Sequence, residues 1–260
     1  MRSLLLAIAM AAFAWLVHVY GRVLPDPAMA AAWLVIALAI GWGTLRRARL
    51  RRAAFIGAYV RADSGLSRWL RGRLLLPLRA AVLSALLALV LVVSLVRLDG
   101  RAAWLVLAAG APALVLAYRV AARALSAHIA SGYLPVAAWR VAAFGVGALM
   151  IAALVALAFH APYPGLGGVG LERAVWHFVD AERARGATVQ MLLQLAGAAD
   201  GLRLWIAQQL MPSPGASLAE ALGWLAVLAE EAVFVWSYLS YLCPAVLGGM
   251  THDGDCSVGD

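Results

Sequence analysis

Six long apolar runs dominate the chain, and short segments rich in arginine, glycine and proline separate them. A run of about 20 apolar residues is long enough to cross the hydrocarbon core of a bilayer as an α-helix. The pattern therefore predicts an all-α, polytopic integral membrane protein with about six transmembrane helices. We expect these spans over residues 4–20, 29–45, 74–96, 102–118, 136–159 and 218–242.

The breaks between the runs predict how the chain is organised. Tight turns at 24–27 and 97–101 favour helical hairpins, three in all, and the first span is expected to be retained as an anchor. Residues 160–217 show shorter helical patterns that we expect Gly186 and Gly197 to interrupt. The predicted segments are a transmembrane hairpin (1–45), an arginine-rich interfacial segment (46–73), a second hairpin (74–118), a basic connector with the fifth span (119–159), a small helical extracytoplasmic cap (160–217), the sixth span (218–250) and an acidic tail (251–260).

Charge is concentrated in one segment. The chain has 21 basic residues, all arginine, against 13 acids, and nine of these arginines lie between residues 44 and 73 with Asp63 as the only acid there. Such a cluster is typical of a segment that contacts anionic lipid headgroups or a protein partner, and the balanced remainder of the chain argues against nucleic-acid binding. The predicted contact residues are Arg46, Arg47, Arg49, Arg51, Arg52, Arg68, Arg71 and Arg73.

Arginine placement also predicts the orientation of the chain. Short basic loops stay on the cytoplasmic side, so residues 46–73 should be cytoplasmic. Counting spans outward places both termini in the cytoplasm and residues 160–217 outside. The connector at 119–135, which carries Arg119 and Arg123 and no acid, then falls inside. We expect a multi-pass protein of a bacterial inner membrane.

The best candidates for membrane chemistry are Glu230 and Glu231, because ionisable groups inside a bilayer are costly. If the sixth helix enters the membrane at residue 218, the pair lies near mid-bilayer and forms a proton or cation site. If the helix projects beyond the membrane, the pair lies at the outer interface. His18 and His160 are expected at helix ends as interface residues, so no metal ion or cofactor is predicted. Cys243 and Cys256 are expected to remain reduced.

Three classes of function fit these features. The favoured one is a non-enzymatic membrane subunit of a multi-protein envelope assembly, of the secretion or conjugative-transfer type, since no catalytic constellation is present. The second is a small transporter or channel that uses Glu230 and Glu231. The third is a membrane-embedded enzyme.

Overall fold

The chain folds as α-helices throughout the part that the structure describes. The structure is a computed structural model that describes residues 1–59, 75–98, 100–130, 132–160, 169–210 and 218–248, and these residues contain eight α-helices and no strand. The helices are α1 (Arg2–Tyr20), α2 (Asp26–Tyr59), α3 (Leu75–Arg97), α4 (Arg101–Leu125), α5 (Leu134–His160), α6 (Leu171–Ala181), α7 (Ala187–Leu210) and α8 (Leu218–Gly248). A helix satisfies its own backbone hydrogen bonds, which an apolar solvent cannot do.

Six of these helices are long and apolar enough to cross a membrane, which agrees with the number predicted from the sequence. The six stretches are Arg2–Tyr20, Asp26–Arg52, Pro77–Arg97, Arg101–Leu125, Leu134–Ala158 and Ala229–Gly248.

Helix α2 continues without a break into the arginine-rich segment, as far as Tyr59. Several predicted features lie outside the described residues, namely Asp63 and the arginines Arg61, Arg68, Arg71 and Arg73, together with Cys256 and the acidic tail.

The last of the described helices is the central one. Helix α8 packs against α1, α2, α3, α4 and α5, and those five surround it in the order α1–α4–α5–α2–α3, with α3 returning to α1. In the most apolar window of α8, 67% of the residues are buried, against 22–39% in the other five spans. The most extensive contacts between spans are α2 with α3 and α4 with α5, rather than the first-with-second and third-with-fourth pairs expected for hairpins.

Bulky side chains and hydrogen bonds hold α8 in this place. Tyr238, Leu239 and Leu242 are at most 1% exposed. The Tyr238 hydroxyl donates to the Leu107 carbonyl of α4 at 3.0 Å, and the Tyr241 hydroxyl donates to the Met10 carbonyl of α1 at 3.1 Å. Such bonds determine which helices pack together in an apolar solvent. Burial of apolar side chains there gives little preference for one neighbouring helix over another.

Helices α6 and α7 form a closely packed pair, and the break expected at Gly197 is absent because α7 runs through it. A Cβ atom on Gly197 would lie 2.9 Å from the Phe178 carbonyl oxygen, and one on Gly201 would lie 2.9 Å from the Val175 Cα. The two glycines are one helical turn apart on the face that meets α6. They allow close approach of two backbones and do not end the helix.

Candidate functional site

Six charged residues of alternating sign form a continuous chain of ion pairs at one end of the bundle. Glu182 accepts from Arg97 Nε at 2.8 Å and lies 3.1 Å from Arg22 Nη2. Arg97 also pairs with Asp200, whose other oxygen lies 3.4 Å from Arg203 Nη2. Arg203 in turn pairs with Glu230. We call this set, Arg22, Glu182, Arg97, Asp200, Arg203 and Glu230, the charge network.

The charge network connects distant parts of the chain. Arg22 lies in the turn after α1, and Arg97 is the last residue of α3. Glu182 directly follows α6, and Asp200 belongs to α7. The network therefore ties the α6–α7 pair to the ends of the spans, and its backbone counterpart is the hydrogen bond from the Arg185 amide to the Arg22 carbonyl at 2.9 Å.

Asp26 attaches the start of α7 to the start of α2. Gly186 has no side chain with which to cap α7, and the Asp26 carboxylate accepts from the Thr188 and Val189 amides at 3.2 and 3.4 Å instead. A Cβ atom on Gly186 would lie 2.1 Å from Asp26 Oδ1, so this approach requires glycine. A carboxylate at a helix N-terminus also meets the positive end of the helix dipole.

These attachments lay α7 across the end of the bundle. Asp26, at the start of α2, meets the first turn of α7, whereas Arg97, at the end of α3, meets Asp200. Twelve residues separate Thr188 from Asp200, which is about 18 Å along a helix. Arg203, slightly farther along, reaches Glu230 on α8.

The two glutamates proposed as an ion site lie at this same end. Glu230 belongs to α8, its side chain is 50% exposed, and it pairs with Arg203 in the charge network. Glu231 is partly buried and lies within electrostatic reach of the same arginine. Among the described residues, no group of three or more His, Cys, Asp and Glu side chains has the arrangement of a metal site.

The two histidines at helix ends make local contacts and do not face each other as a ligand pair. His18 Nδ1 donates to the Leu95 carbonyl of α3 at 2.9 Å, and its ring packs against Trp15 and Trp104. His160 Nδ1 donates to the Ala156 carbonyl, within its own helix, at 2.7 Å. His18 therefore helps to join α1, α3 and α4 near the charge network.

The described arginines of the basic segment lie toward the other end of α2. Arg47 is buried, Arg46 and Arg52 are partly buried, and Arg49 and Arg51 are exposed. Arg47 lies 20 residues after residue 27, which is in the first turn of α2, and 20 residues correspond to about 30 Å along a helix. This distance is about the thickness of a hydrocarbon core, so these arginines and the charge network lie at opposite ends of the bundle.

Helix α7 also carries an apolar surface that faces away from the bundle. Its members recur at helical spacing, opposite the buried Val189 and Leu193. Their exposed fractions run from 39% to 69%. We call this set, Met191, Leu195, Leu202 and Ile206, the α7 apolar stripe.

Sequence reasoning missed the charge network apart from Glu230. Outside residues 44–73, arginines and acids are equal in number along the sequence. This balance gives no reason to pair Arg22 with Glu182 or Arg97 with Asp200. The position of Arg97 directly after an apolar run could have indicated a distant partner, because an arginine there has few charged partners within its own helix.

Comparison of the chain with protein-family models, with curated proteins and with solved structures found no significant match. The protein can therefore be classified by its structure only. Its described residues form an all-helical protein with six apolar helices compatible with a multi-pass membrane protein.

Proposed function

We propose that this protein is a non-enzymatic integral membrane subunit of a multi-protein envelope assembly, of the secretion or conjugative-transfer type. In this proposal it spans a bacterial inner membrane with both termini in the cytoplasm. The α6–α7 pair is an extracytoplasmic cap, and the α7 apolar stripe is the surface that binds a membrane or periplasmic protein partner.

The observation that carries the proposal is the combination of exposure and attachment in α7. Leu195 is 69% exposed and Met191 is 62% exposed. Both belong to α7, which is attached to the ends of the spans by ion pairs and hydrogen bonds. Exposed apolar side chains in one row outside a hydrocarbon core are typical of an interaction surface. The charge network and Asp26 hold this row in a fixed position, which reduces the ordering cost of binding.

The orientation is supported by the separation of charge. The arginines after residue 45 and the charge network occupy opposite ends of α2, and a basic segment that stays in the cytoplasm places the α6–α7 pair outside. The exposed Arg49 and Arg51 then face anionic headgroups or a cytoplasmic partner.

A transporter that uses Glu230 and Glu231 is less well supported. Glu230 pairs with Arg203 at the end of the bundle, and the centre of the spans is filled by side chains such as Tyr238 and Leu242. A conduction path needs polar groups through the apolar depth. Among the described residues of α8, the buried polar side chains in that depth are Ser237 and Ser240, apart from the two tyrosines that bond to neighbouring helices.

The test is site-specific photocrosslinking in cells. A photoreactive amino acid replaces Leu195 in the stripe or Phe144, which is 80% exposed in the middle of α5 and serves as a lipid-facing control. We expect a defined protein adduct from position 195 and none from position 144. Adducts with lipid alone at position 195, or equal protein adducts at both positions, would contradict the proposal.

A further inference from the structure

Arg46 and Arg47 differ from the exposed Arg49 and Arg51 of the same segment in their surroundings. Arg47 is only 8% exposed and lies where α2 meets α5 and α8, whereas Arg49 and Arg51 are exposed. The Arg47 Nε donates to the Gly43 carbonyl at 3.3 Å, and its guanidinium lies 5.1 Å from the centroid of the Trp139 ring. The neighbouring Arg46 lies 5.1 Å from the Trp42 ring centroid.

Neither guanidinium has a carboxylate partner among the residues that the structure describes. The ion pairs there all belong to the charge network, at the other end of the bundle. Contact with an aromatic face attracts a cation but does not replace an anion. A buried charge without a counter-ion costs free energy, so this position is suited to an anion that arrives from outside the chain.

Two buried hydrogen-bond donors in this region point to the same conclusion. Arg46 Nη1 and Trp139 Nε1 are both shielded from solvent, and neither has an acceptor among the residues that the structure describes. The indole of Trp139, 2% exposed, is the ring over which Arg47 lies. Native proteins satisfy nearly all buried donors, so two unsatisfied donors beside an unpaired buried guanidinium suit an acceptor from outside the described residues.

The remaining walls come from α4 and α8. The Tyr118 side chain is within electrostatic reach of Arg46, and Cys243 is within reach of both arginines. The Cys243 Sγ lies 3.1 Å from the Cβ position of Gly43, which brings α8 close to α2 at this level. Four helices therefore converge on two cationic groups and an unsatisfied indole donor.

We propose that Arg46, Arg47 and Trp139 form a binding site for a phosphate group. A guanidinium presents paired donors that match phosphate oxygens, and the indole adds a third direction of donation. This is distinct from the general attraction of exposed arginines to a charged surface, because it requires these buried donors. The phosphate belongs either to an anionic lipid headgroup or to a soluble phosphate compound, since the site lies at the level where α2 leaves its apolar stretch. The proposal does not depend on the protein partner proposed above.

The test measures thermal unfolding of the purified full-length chain in maltoside micelles. Phosphatidylglycerol is compared with a phosphate-free glycolipid, and inorganic phosphate with chloride at equal ionic strength. We expect phosphatidylglycerol, inorganic phosphate or both to raise the unfolding temperature. A response to phosphatidylglycerol alone identifies a lipid headgroup, and a response to inorganic phosphate identifies a soluble ligand. Stabilisation by neither compound would overturn the proposal.

Matched variants separate the site from the charge of the segment. Arg46→Gln should weaken the response at least about tenfold in phosphate-ligand concentration, because one charge-assisted hydrogen bond is lost. Arg49→Gln, which removes the same charge from an exposed position, should respond like the wild type. Equal responses of these two variants would overturn the proposal.

Trp139→Phe provides a second variant that keeps an aromatic ring beside Arg47. It removes the unsatisfied donor together with one ring of a buried side chain, so the ligand-free protein should lose some stability through the space left behind. The same variant should respond more weakly to the stabilising phosphate compound. Loss of stability without ligand together with an unchanged response would assign Trp139 a purely structural role and remove it from the site.

Discussion

The charge network should be required to hold the α6–α7 pair on the bundle, and Arg97 is its most informative member. This arginine bonds to Glu182 of one segment and to Asp200 of the next, and its side chain is 19% exposed. Arg97→Met keeps a side chain of similar length and apolar volume but removes the charge and all its donors. The change leaves two carboxylates facing an apolar group.

The magnitude follows from what each carboxylate retains. Removing one partner of a buried ion pair costs about 3–5 kcal/mol, because the other charge remains buried. Glu182, whose side chain is 10% exposed, keeps Arg22 at 3.1 Å, and Asp200 keeps Arg203 at 3.4 Å. These partners compensate in part, so we expect Arg97→Met to lower the free energy of unfolding by about 2–3 kcal/mol.

Denaturant titration in mixed micelles measures this loss, with tryptophan fluorescence as the signal, and limited proteolysis reports whether residues 169–210 detach. Arg101→Met is the control, since Arg101 is an exposed arginine near the same end of the bundle. Its loss should cost less than about 0.5 kcal/mol. The double variant with Glu182→Gln should recover about 1 kcal/mol relative to the sum of the single variants.

Equal costs for Arg97→Met and Arg101→Met would refute this reasoning. So would unchanged proteolysis of the α6–α7 pair, because the network would then be a consequence of docking by other contacts. A destabilised Arg97→Met variant with no coupling to Glu182 would place the loss in the packing of the arginine stem rather than in the ion pairs.

Three further predictions concern packing. Gly201→Ala should destabilise the protein by about 1–3 kcal/mol through overpacking against α6, whereas Gly145→Ala, where a Cβ meets no atom within 4 Å, should be neutral or stabilising in a thermal unfolding assay. Tyr238→Phe should cost about 1 kcal/mol in denaturant titration, because the hydrogen bond from the Tyr238 hydroxyl to the Leu107 carbonyl is lost; a cost near zero would contradict the role of this bond. In a Cys256→Ser background, the buried Cys243 should react with a maleimide only after denaturation, and rapid labelling of the folded protein would contradict its burial.

Glu230 illustrates why one part of a site can be predicted from the sequence and another part cannot. Its rarity within an apolar run identified Glu230 as a residue of interest, but its depth depended on where α8 enters the membrane. Entry at residue 218 and entry beyond the glutamate pair both fit the sequence, since each leaves enough apolar residues for a span. The contact with Arg203 came from α7, whose position relative to α8 could not be predicted from the sequence.

The roles of Gly186, which precedes α7, and Gly197, which lies within it, were ambiguous in the same way. Gly186 and Gly197 carry equal local information, because glycine weakens any helix in which it lies. One precedes the helix and accommodates Asp26, and the other lies inside it and accommodates α6. Only the neighbour distinguishes the two roles.

The number of apolar helices was determined by the sequence, since the hydrophobicity and length of a run are local properties that an apolar solvent selects directly. The position of each helix was decided by the tertiary structure. All six runs are apolar on nearly every side, so hydrophobicity does not indicate which of them is central. The central place of α8 depends on shape and on bonds such as that of Tyr238 to α4, and these are formed only when the helices meet.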